Sequence, residues 1–154
     1  MRASQQIAQR SDAMVAACGL DSMSIFFQNR SGARGGLTYL YHNGVSEAAQ
    51  HAYRHHRVFE EDPFVGAVRP DDRAGQLIWW EDLRGTSPAL DAKGYRAFID
   101  CHDVDVVGAW VQQVCRDLYL VIGAHRRPGG HRRSEIGRHR IAHDIAAISQ
   151  CAGR

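Results

Sequence analysis

The chain has 154 residues, of which 44% are hydrophobic and 23% are charged, with 19 Lys and Arg against 17 Asp and Glu. This composition is typical of one soluble domain that buries its core without disulfides or a structural metal. The net charge of +2 argues against a protein that coats nucleic acid, and no apolar run approaches the roughly 20 residues that cross a bilayer. The polar N-terminus lacks the apolar stretch of a secretory signal, so we expect a cytoplasmic protein with no membrane partner.

The four cysteines lie far apart in the sequence and form no CxxC pair. They are Cys18, Cys101, Cys115 and Cys151. This spacing favours neither a zinc ribbon nor a thioredoxin-like motif, and we expect buried free thiols in a reducing compartment.

The first third of the chain predicts a helix, a hairpin and a second helix. Apolar residues within Ser4–Cys18 share one helical face, and Gly19 is placed to end that helix. Segments 23–28 and 37–42 are short, apolar and aromatic, and the turn-forming stretch between them predicts a β-hairpin. A second helix is expected over Ser46–His56, with its serine as the N-cap.

The middle of the chain predicts one strand and one helix after an irregular crossover. Residues 59–73 contain prolines and consecutive turn formers, which deny this segment a regular element. A short strand is expected over 76–80, followed by a helix that ends near His102. We expect that helix to have Ser87 as N-cap and Pro88 at its first position and to bury Leu90, Phe98 and Ile99.

The last third predicts a second hairpin and a closing helix. The β-rich segments 104–114 and 118–124 are separated by a tight turn at 115–117. Ser134 is the expected N-cap of the final helix, which carries an apolar stripe. The stripe consists of Ile141, Ile145, Ile148 and Ala152. Two hairpins and a middle strand give a single α+β domain over 1–154, a five-stranded antiparallel sheet flanked by helices on both faces, as in GAF and PAS sandwiches.

No specific enzyme or metal signature occurs in a suitable context, so we expect no catalytic residues, no metal and no cofactor. The pairs His51/His55 and His139/His143 have helical i, i+4 spacing, but each is better explained as a solvated helix face. The basic segment 125–140 holds six arginines and three histidines against one glutamate, and we expect it to be a solvated loop and helix start rather than a DNA contact.

One combination of residues stands out from this background. Tyr53 is followed nine residues later by Asp62-Pro63, then by tryptophans at 79 and 80, and Gly108 opens a long strand. This pattern resembles the autoinducer-binding sensor domain of LuxR-type transcriptional regulators. The resemblance covers residues 46–110 in motif and the whole chain in the order of its elements.

The resemblance implies a ligand cavity between the sheet and one helical layer. Tyr53 would donate to an acyl amide carbonyl, and Asp62 would accept from the amide N–H. Pro63 would fix the backbone that aims Asp62, and Gly108 would permit close packing. Trp79 or Trp80 would form an apolar wall, and the sequence does not decide between them. Further expected wall residues are Tyr39, Tyr41, Phe64 and Trp110.

One position departs from the family pattern. The family usually has a tryptophan four residues before the tyrosine, whose indole N–H holds the lactone carbonyl, and this chain has Ala49 there. Three explanations stay open: another donor replaces the tryptophan, the domain reads a different small molecule, or it keeps the fold without the ligand. The acyl-homoserine lactone is therefore one candidate ligand.

The leading hypothesis is a small-molecule sensor domain of a LuxR-type bacterial regulator, with quorum sensing as a candidate role, that forms a homodimer through its terminal helix. No helix-turn-helix domain is recognisable within these 154 residues, so DNA would be contacted only through another domain. The chain is either an excised sensor domain or a free-standing one. The alternative is a GAF- or PAS-like dimerisation module whose cavity is filled by its own side chains and binds no ligand.

Overall fold

A computed structural model of the chain describes residues 2–32, 35–68, 73–126 and 135–152. The strands in these ranges are β1 Ser22–Asn29, β2 Gly36–Asn43, β3 Gln76–Trp79, β4 Asp105–Cys115 and β5 Leu118–Arg126. The α-helices are α1 Ala3–Cys18, α2 Glu47–His55, α3 Pro63–Gly66, α4 Trp80–Leu83, α5 Ser87–Asp91, α6 Lys93–Cys101 and α7 Glu135–Ala152. A 3₁₀ turn, Val58–Glu61, precedes α3.

The five strands form one antiparallel sheet in the order β2-β1-β5-β4-β3. Pairing of β1 with β5 joins the two hairpins, β1–β2 and β4–β5, at the centre of the sheet. The edge strands are β2 and β3, and β3 pairs with β4. Helices lie on both faces of this sheet, so the predicted α+β sandwich with its five antiparallel strands is confirmed.

Helices α1 and α7 pack together on one face of the sheet. Ile141, Ile145 and Ile148 of α7 are fully buried there, as is Met14 of α1. The isoleucine stripe that we expected at a dimer contact is therefore part of the protomer's own core. A helix placed on an open sheet buries its apolar face against the strands, which leaves that face unavailable to a second copy.

The other face of the sheet is covered by α2, the 3₁₀ turn and α3–α6. These elements are short, and they pack many aromatic side chains, together with some aliphatic ones, against the sheet. The sandwich thus has a closely packed aliphatic side and an aromatic side. The candidate site lies on the aromatic side.

Three details of the middle segment differ from the sequence prediction. The crossover 59–73 is not wholly irregular, because it contains most of the 3₁₀ turn and the four-residue helix α3. The single helix expected from Ser87 to His102 is two helices, since Ala92 leaves the helical region at φ −79° and ψ 63°. The N-cap of the first is Thr86, and Leu90 is 52% exposed because the interruption turns its side of α5 to solvent.

The prediction that the cysteines are free is confirmed, but the prediction that they are buried is wrong. All four thiols are free, as expected, but Cys101 and Cys115 are exposed and the other two are only partly buried. The sequence did not show that Cys101 lies on the outer side of α6 or that Cys115 ends an exposed hairpin. Among the described residues, no helix is both long and apolar enough to cross a membrane.

Candidate ligand-binding site

A cavity of about 610 Å³ lies between the sheet and the helices of the aromatic side. Strands β1, β4 and β5 form its floor, and α2, α6 and the residues around Asp62 form its roof and inner end. Cavities that enclose small molecules fall in the range of roughly 300–1,000 Å³. The expectation of a side-chain-filled interior, which belonged to the alternative hypothesis, is therefore wrong for this structure.

A buried carboxylate lies in the inner wall of the cavity. Asp62 is 6% exposed, and its Oδ2 accepts a hydrogen bond of 2.5 Å from the Tyr53 hydroxyl. Its Oδ1 accepts the backbone N–H of Phe64 at 2.8 Å. The structure thus brings together Tyr53 and Asp62, the two residues expected to bind a ligand, and joins them directly.

Burial governs the ionisation of this pair. Loss of water raises the pKa of the Asp62 carboxyl, and the hydrogen bonds from Tyr53 and from Phe64 N–H partly oppose that rise. Burial also raises the pKa of Tyr53, and the charge of Asp62 raises it further. The Tyr95 hydroxyl responds in the same direction for the same two reasons. A carboxylate in this setting gains from any additional N–H or O–H donor that a ligand brings.

The position of Asp62 is fixed from two directions. It is the N-cap of α3, and Pro63 follows at the first helical position, where a fixed φ suits the helix. The Arg30 guanidinium, from the end of β1, donates to the carbonyl oxygens of Phe59 and Asp62 at 3.1 and 3.2 Å. Gln28 Nε2 adds a 2.6 Å bond to the Phe59 carbonyl. The sheet therefore holds the turn that carries the carboxylate.

Aromatic rings surround the inner end of the cavity. Tyr53 packs edge-on against Phe26, with ring centroids 5.5 Å apart, and it lies 5.5 Å from Phe98. Tyr39 contacts Phe26 at 5.8 Å from the neighbouring strand. Tyr39 and Phe64, both predicted wall residues, line the cavity as expected. This inner end can hold an apolar group beside one strong acceptor.

Tyr41, Trp79 and Trp110 were predicted as wall residues, but they lie on the opposite face of the sheet with the α1–α7 side. Tyr41 donates to Asp12 of α1, and the Arg138 guanidinium of α7 lies 5.0 Å from the Trp79 ring centre. Trp79 and Trp110 each follow a residue of the cavity side, so strand alternation turns them to the opposite face. Tyr41 is two residues from Tyr39, but the register shift between Ile25 and Phe26 skips Leu40 and brings Tyr41 to the opposite face.

The structure places the two tryptophans on opposite sides of the sheet, because Trp79 ends β3 and Trp80 begins α4. Trp80 lies on the cavity side, where its ring packs 5.8 Å from Phe64 and 6.0 Å from Tyr95. Phe64 and Tyr95, rather than Trp80 itself, form the surface of the cavity. Trp80 therefore supports the wall from behind.

Two small residues leave space at the site. Ala49 lines the cavity at the position where the family resemblance implies a tryptophan. Its small side chain leaves space there that an indole ring would occupy. Gly108 lies where β4 shifts its register, and a Cβ there would approach the Ile78 carbonyl oxygen to 2.8 Å. The close packing expected at this glycine is present between β3 and β4.

Several lining residues were missed by the sequence reasoning. Tyr95, Phe98 and His102 recur at helical spacing along α6, a pattern that predicts one shared face. Ser22 and Ser24 alternate with apolar residues of β1, and His125 lies opposite Ser22 on β5. Strand alternation could have placed Ser22 and Ser24 on one face of β1, but no local pattern pairs them with His125, which we had interpreted as part of a basic segment.

The histidine pairs and the basic segment were the other charged candidates in the sequence. His51 and His55 stack at 4.5 Å between ring centres on the exposed side of α2. In the described ranges, no group of three or more His, Cys, Asp or Glu residues could hold a metal ion. Of the basic segment, residues 127–134 lie outside the described part of the chain.

Comparison of the sequence with protein-family models and with curated proteins found no match. Solved structures do match. SdiA in complex with octanoyl-rac-glycerol superposes with a TM-score of 0.63 at 13% identity, covering 97% of this chain and 58% of the other. Escherichia coli SdiA in a second crystal form gives 0.63 at 14% identity, with 99% and 61% coverage.

A third neighbour is CepR2 from Burkholderia cenocepacia, an N-acylhomoserine lactone dependent LuxR family transcription factor. It superposes with a TM-score of 0.59 at 16% identity, covering 97% of this chain and 86% of the other. This chain spans about three fifths of the SdiA chains. The chain therefore has the fold of LuxR autoinducer-binding domains, which confirms the resemblance inferred from the sequence at the level of the fold.

Proposed function

We propose that this chain is the small-molecule sensor domain of a LuxR-type bacterial transcriptional regulator. It binds an acyl-homoserine lactone or another small amphiphile in the cavity of about 610 Å³. The observation that carries the proposal is the Tyr53–Asp62 pair buried in the wall of that cavity. The folds of CepR2 and of SdiA bound to octanoyl-rac-glycerol support it.

The chemistry of the pair defines what the ligand offers. Asp62 accepts from a ligand N–H or O–H, and the Tyr53 hydroxyl donates to a neighbouring carbonyl once the ligand replaces its bond to Asp62. The aromatic surroundings favour an apolar chain next to this polar head. Because the family's indole donor is replaced by Ala49, an amide or a glycerol hydroxyl satisfies the site as well as a lactone does.

Thermal unfolding of the purified chain tests the proposal. We expect N-octanoyl-homoserine lactone or 1-octanoylglycerol to raise the melting temperature in a concentration-dependent way, because a ligand that binds only the folded state stabilises it. Denaturing mass spectrometry of the untreated protein provides a second readout, since an enclosed ligand can remain bound through purification.

Matched aspartate variants give the control. Asp62→Asn removes the charged acceptor and is expected to abolish most of the ligand-induced shift. Asp12→Asn changes an exposed aspartate of α1 on the other side of the sheet and is expected to leave the shift intact. The proposal is wrong if neither probe stabilises the protein and no small molecule is released from it.

The same proposal includes the oligomeric state of the domain, its location and its route to DNA. The domain works as a non-catalytic homodimer in the cytoplasm and reaches DNA only through a separate domain. Since the isoleucine stripe of α7 is buried, the dimer uses other surfaces. Light scattering with and without ligand measures the dimer directly. A monomer under both conditions would remove this part of the proposal.

A further inference from the structure

The cavity has an inner end at Asp62 and a mouth at Asp21, Ser46 and Asp103, and the lining residues of each element can be ordered between these two ends. Along β1 the lining side chains change from Phe26 through Ser24 to Ser22, and β5 matches them with Val121 and His125. The inner end is closed, since the residues there, Asp62 and its aromatic neighbours, are buried. The mouth is open, since Asp21, Ser46 and Asp103 on its rim are exposed.

The lining residues of the helices change in the same direction, from the inner end to the mouth. In α2 the lining residues change from Tyr53 at the inner end through Ala49 to the N-cap Ser46 at the mouth. In α6 they change from Tyr95 to His102. The cavity is therefore polar at its inner end, apolar in the middle and polar again towards the mouth.

Three side chains converge at the mouth end of the floor. Ser22 Oγ lies 3.0 Å from His125 Nδ1. His125 Nε2 and Ser24 Oγ both lie over Gly123, 3.0 and 3.3 Å from the point where a Cβ on this glycine would be. Within the described ranges no hydrogen bond occupies either of those two atoms, so both are available to a group that enters the cavity above Gly123.

Strand and helix geometry give the approximate length of the cavity from its inner end to its mouth. Four residues of β1, from Ser22 to Phe26, advance about 13 Å. The seven steps from Tyr95 of α6 to the C-cap residue His102 advance about 10 Å. An extended carbon chain advances about 1.3 Å per bond at ordinary bond lengths, so some eight to ten bonds span this gap.

We propose that Ser22, Ser24 and His125 form a second polar subsite, which selects a medium-chain ligand with an uncharged hydrogen-bonding group, such as a hydroxyl, at its far end. This inference rests on the proposed function and adds the ligand class to it. Burial lowers the pKa of His125 to about 4, so the imidazole is neutral at pH 7 and suits a neutral partner. A plain alkyl end would displace the water that reaches this end of the cavity from the mouth and would leave His125 Nε2 and Ser24 Oγ without a partner.

Two ligands that differ by one hydroxyl test the inference. Dissociation constants are measured for N-octanoyl-homoserine lactone and for N-(8-hydroxyoctanoyl)-homoserine lactone. The wild-type protein is expected to bind the hydroxylated compound about three- to tenfold more tightly, the gain of one neutral hydrogen bond. The corresponding ω-carboxylate is expected to bind more weakly than the hydroxyl compound, because the subsite is neutral.

Variants assign the preference to the subsite. His125→Leu and, as a smaller change, Ser22→Ala are expected to bring the ratio of the two constants to about one. Tyr41→Phe alters a hydroxyl on the other face of the sheet and is expected to keep the wild-type ratio.

The outcomes separate the two claims. If the wild-type protein binds both compounds equally, or prefers the alkyl or carboxylate compound, while Asp62→Asn weakens all of them, the second subsite is wrong and the sensor function stands. If none of these lactones binds, the second subsite is wrong, and the sensor function fails as well if 1-octanoylglycerol does not bind.

Discussion

At the residue scale, the site depends on a carboxylate placed where water is scarce. The Asp62 carboxylate accepts from the Tyr53 hydroxyl and from backbone N–H groups that include Phe64, whereas Arg30 donates to the backbone carbonyl of Asp62 rather than to its carboxylate. A buried carboxylate without a cation is costly unless further donors reach it. The free protein thus keeps a site whose stability improves when a donor enters.

Two buried groups should give opposite pH dependences of stability. The pKa of His125 falls from its ordinary 6.5 to about 4, so the unfolded chain binds more protons between these values. The free energy of unfolding therefore decreases as pH is lowered through that window. The pKa of Asp62 is raised above 3.8, so just above that value the folded chain binds more protons and its contribution rises as pH falls.

Urea unfolding between pH 7 and pH 4 separates these contributions. His125→Gln should lose stability less steeply than the wild-type protein as pH falls, and Asp62→Asn should lose it more steeply. Equal slopes for His125→Gln and the wild type would show that this histidine is not held neutral by the fold.

Substitutions at Ala49, which lines the cavity, test how a lactone ring is recognised. Ala49→Trp places an indole N–H in the cavity, at the position where the family resemblance implies a bond to the lactone carbonyl. We expect this variant to prefer N-octanoyl-homoserine lactone over an octanoyl amide without a lactone by about three- to tenfold more than the wild type does. Titration calorimetry with both compounds measures the change.

Ala49→Phe is the matched control, because it fills similar space without a donor. It should bind both compounds more weakly and gain no lactone preference. A preference that rises equally in the phenylalanine variant would mean that shape, rather than the indole N–H, selects the lactone.

At the scale of elements, the β3–β4 junction depends on the missing side chain of Gly108. A methyl group there would meet the Ile78 carbonyl at 2.8 Å and Trp79 Cε3 at 3.2 Å. We expect Gly108→Ala to lower the free energy of unfolding by about 1–3 kcal/mol, the usual range for overpacking. Gly66→Ala, where a Cβ meets nothing within 4 Å, should be neutral or stabilising by up to about 1 kcal/mol.

The two helical layers should respond differently to ligand. The α1–α7 layer is fully packed by Met14 and the isoleucines of α7, whereas α2 and α6 span a cavity. Hydrogen exchange should therefore slow on ligand binding in α2, α6 and residues 58–66, and stay nearly unchanged in α1 and α7. Equal slowing in both layers would indicate a general rather than a local effect.

At the scale of the whole molecule, the sequence predicted the parts that rest on local signals. The first two helices and both hairpins followed from periodicity, caps and turn residues, whereas the hydrogen bond between Tyr53 and Asp62 was not predicted. Segment 59–101 was less predictable, because α3, α4 and α5 are too short to show a period and Ala92 carries no helix-breaking signal. Their boundaries come from packing against the sheet.

The sequence predicted some of the residues that line the cavity and missed others. Sequence order identified Asp62, but the face on which Trp79, Trp110 and Tyr41 lie depends on the strand register, which includes shifts at Ile25/Phe26 and Val106/Gly108. The mouth was missed because Ser22 and His125 are about a hundred residues apart and meet only through β1–β5 pairing. Long-range pairing of this kind leaves no local pattern in a single sequence.

The central claim is that the cavity holds a ligand whose donor is accepted by Asp62. Titration calorimetry of the wild-type protein and Asp62→Asn with N-octanoyl-homoserine lactone and with 1-octanoylglycerol tests it most directly. We expect one site per chain, a negative heat-capacity change from apolar burial, and binding about 10- to 100-fold weaker in the variant. Absence of binding by both probes, or equal affinities of the wild type and Asp62→Asn, would contradict the claim.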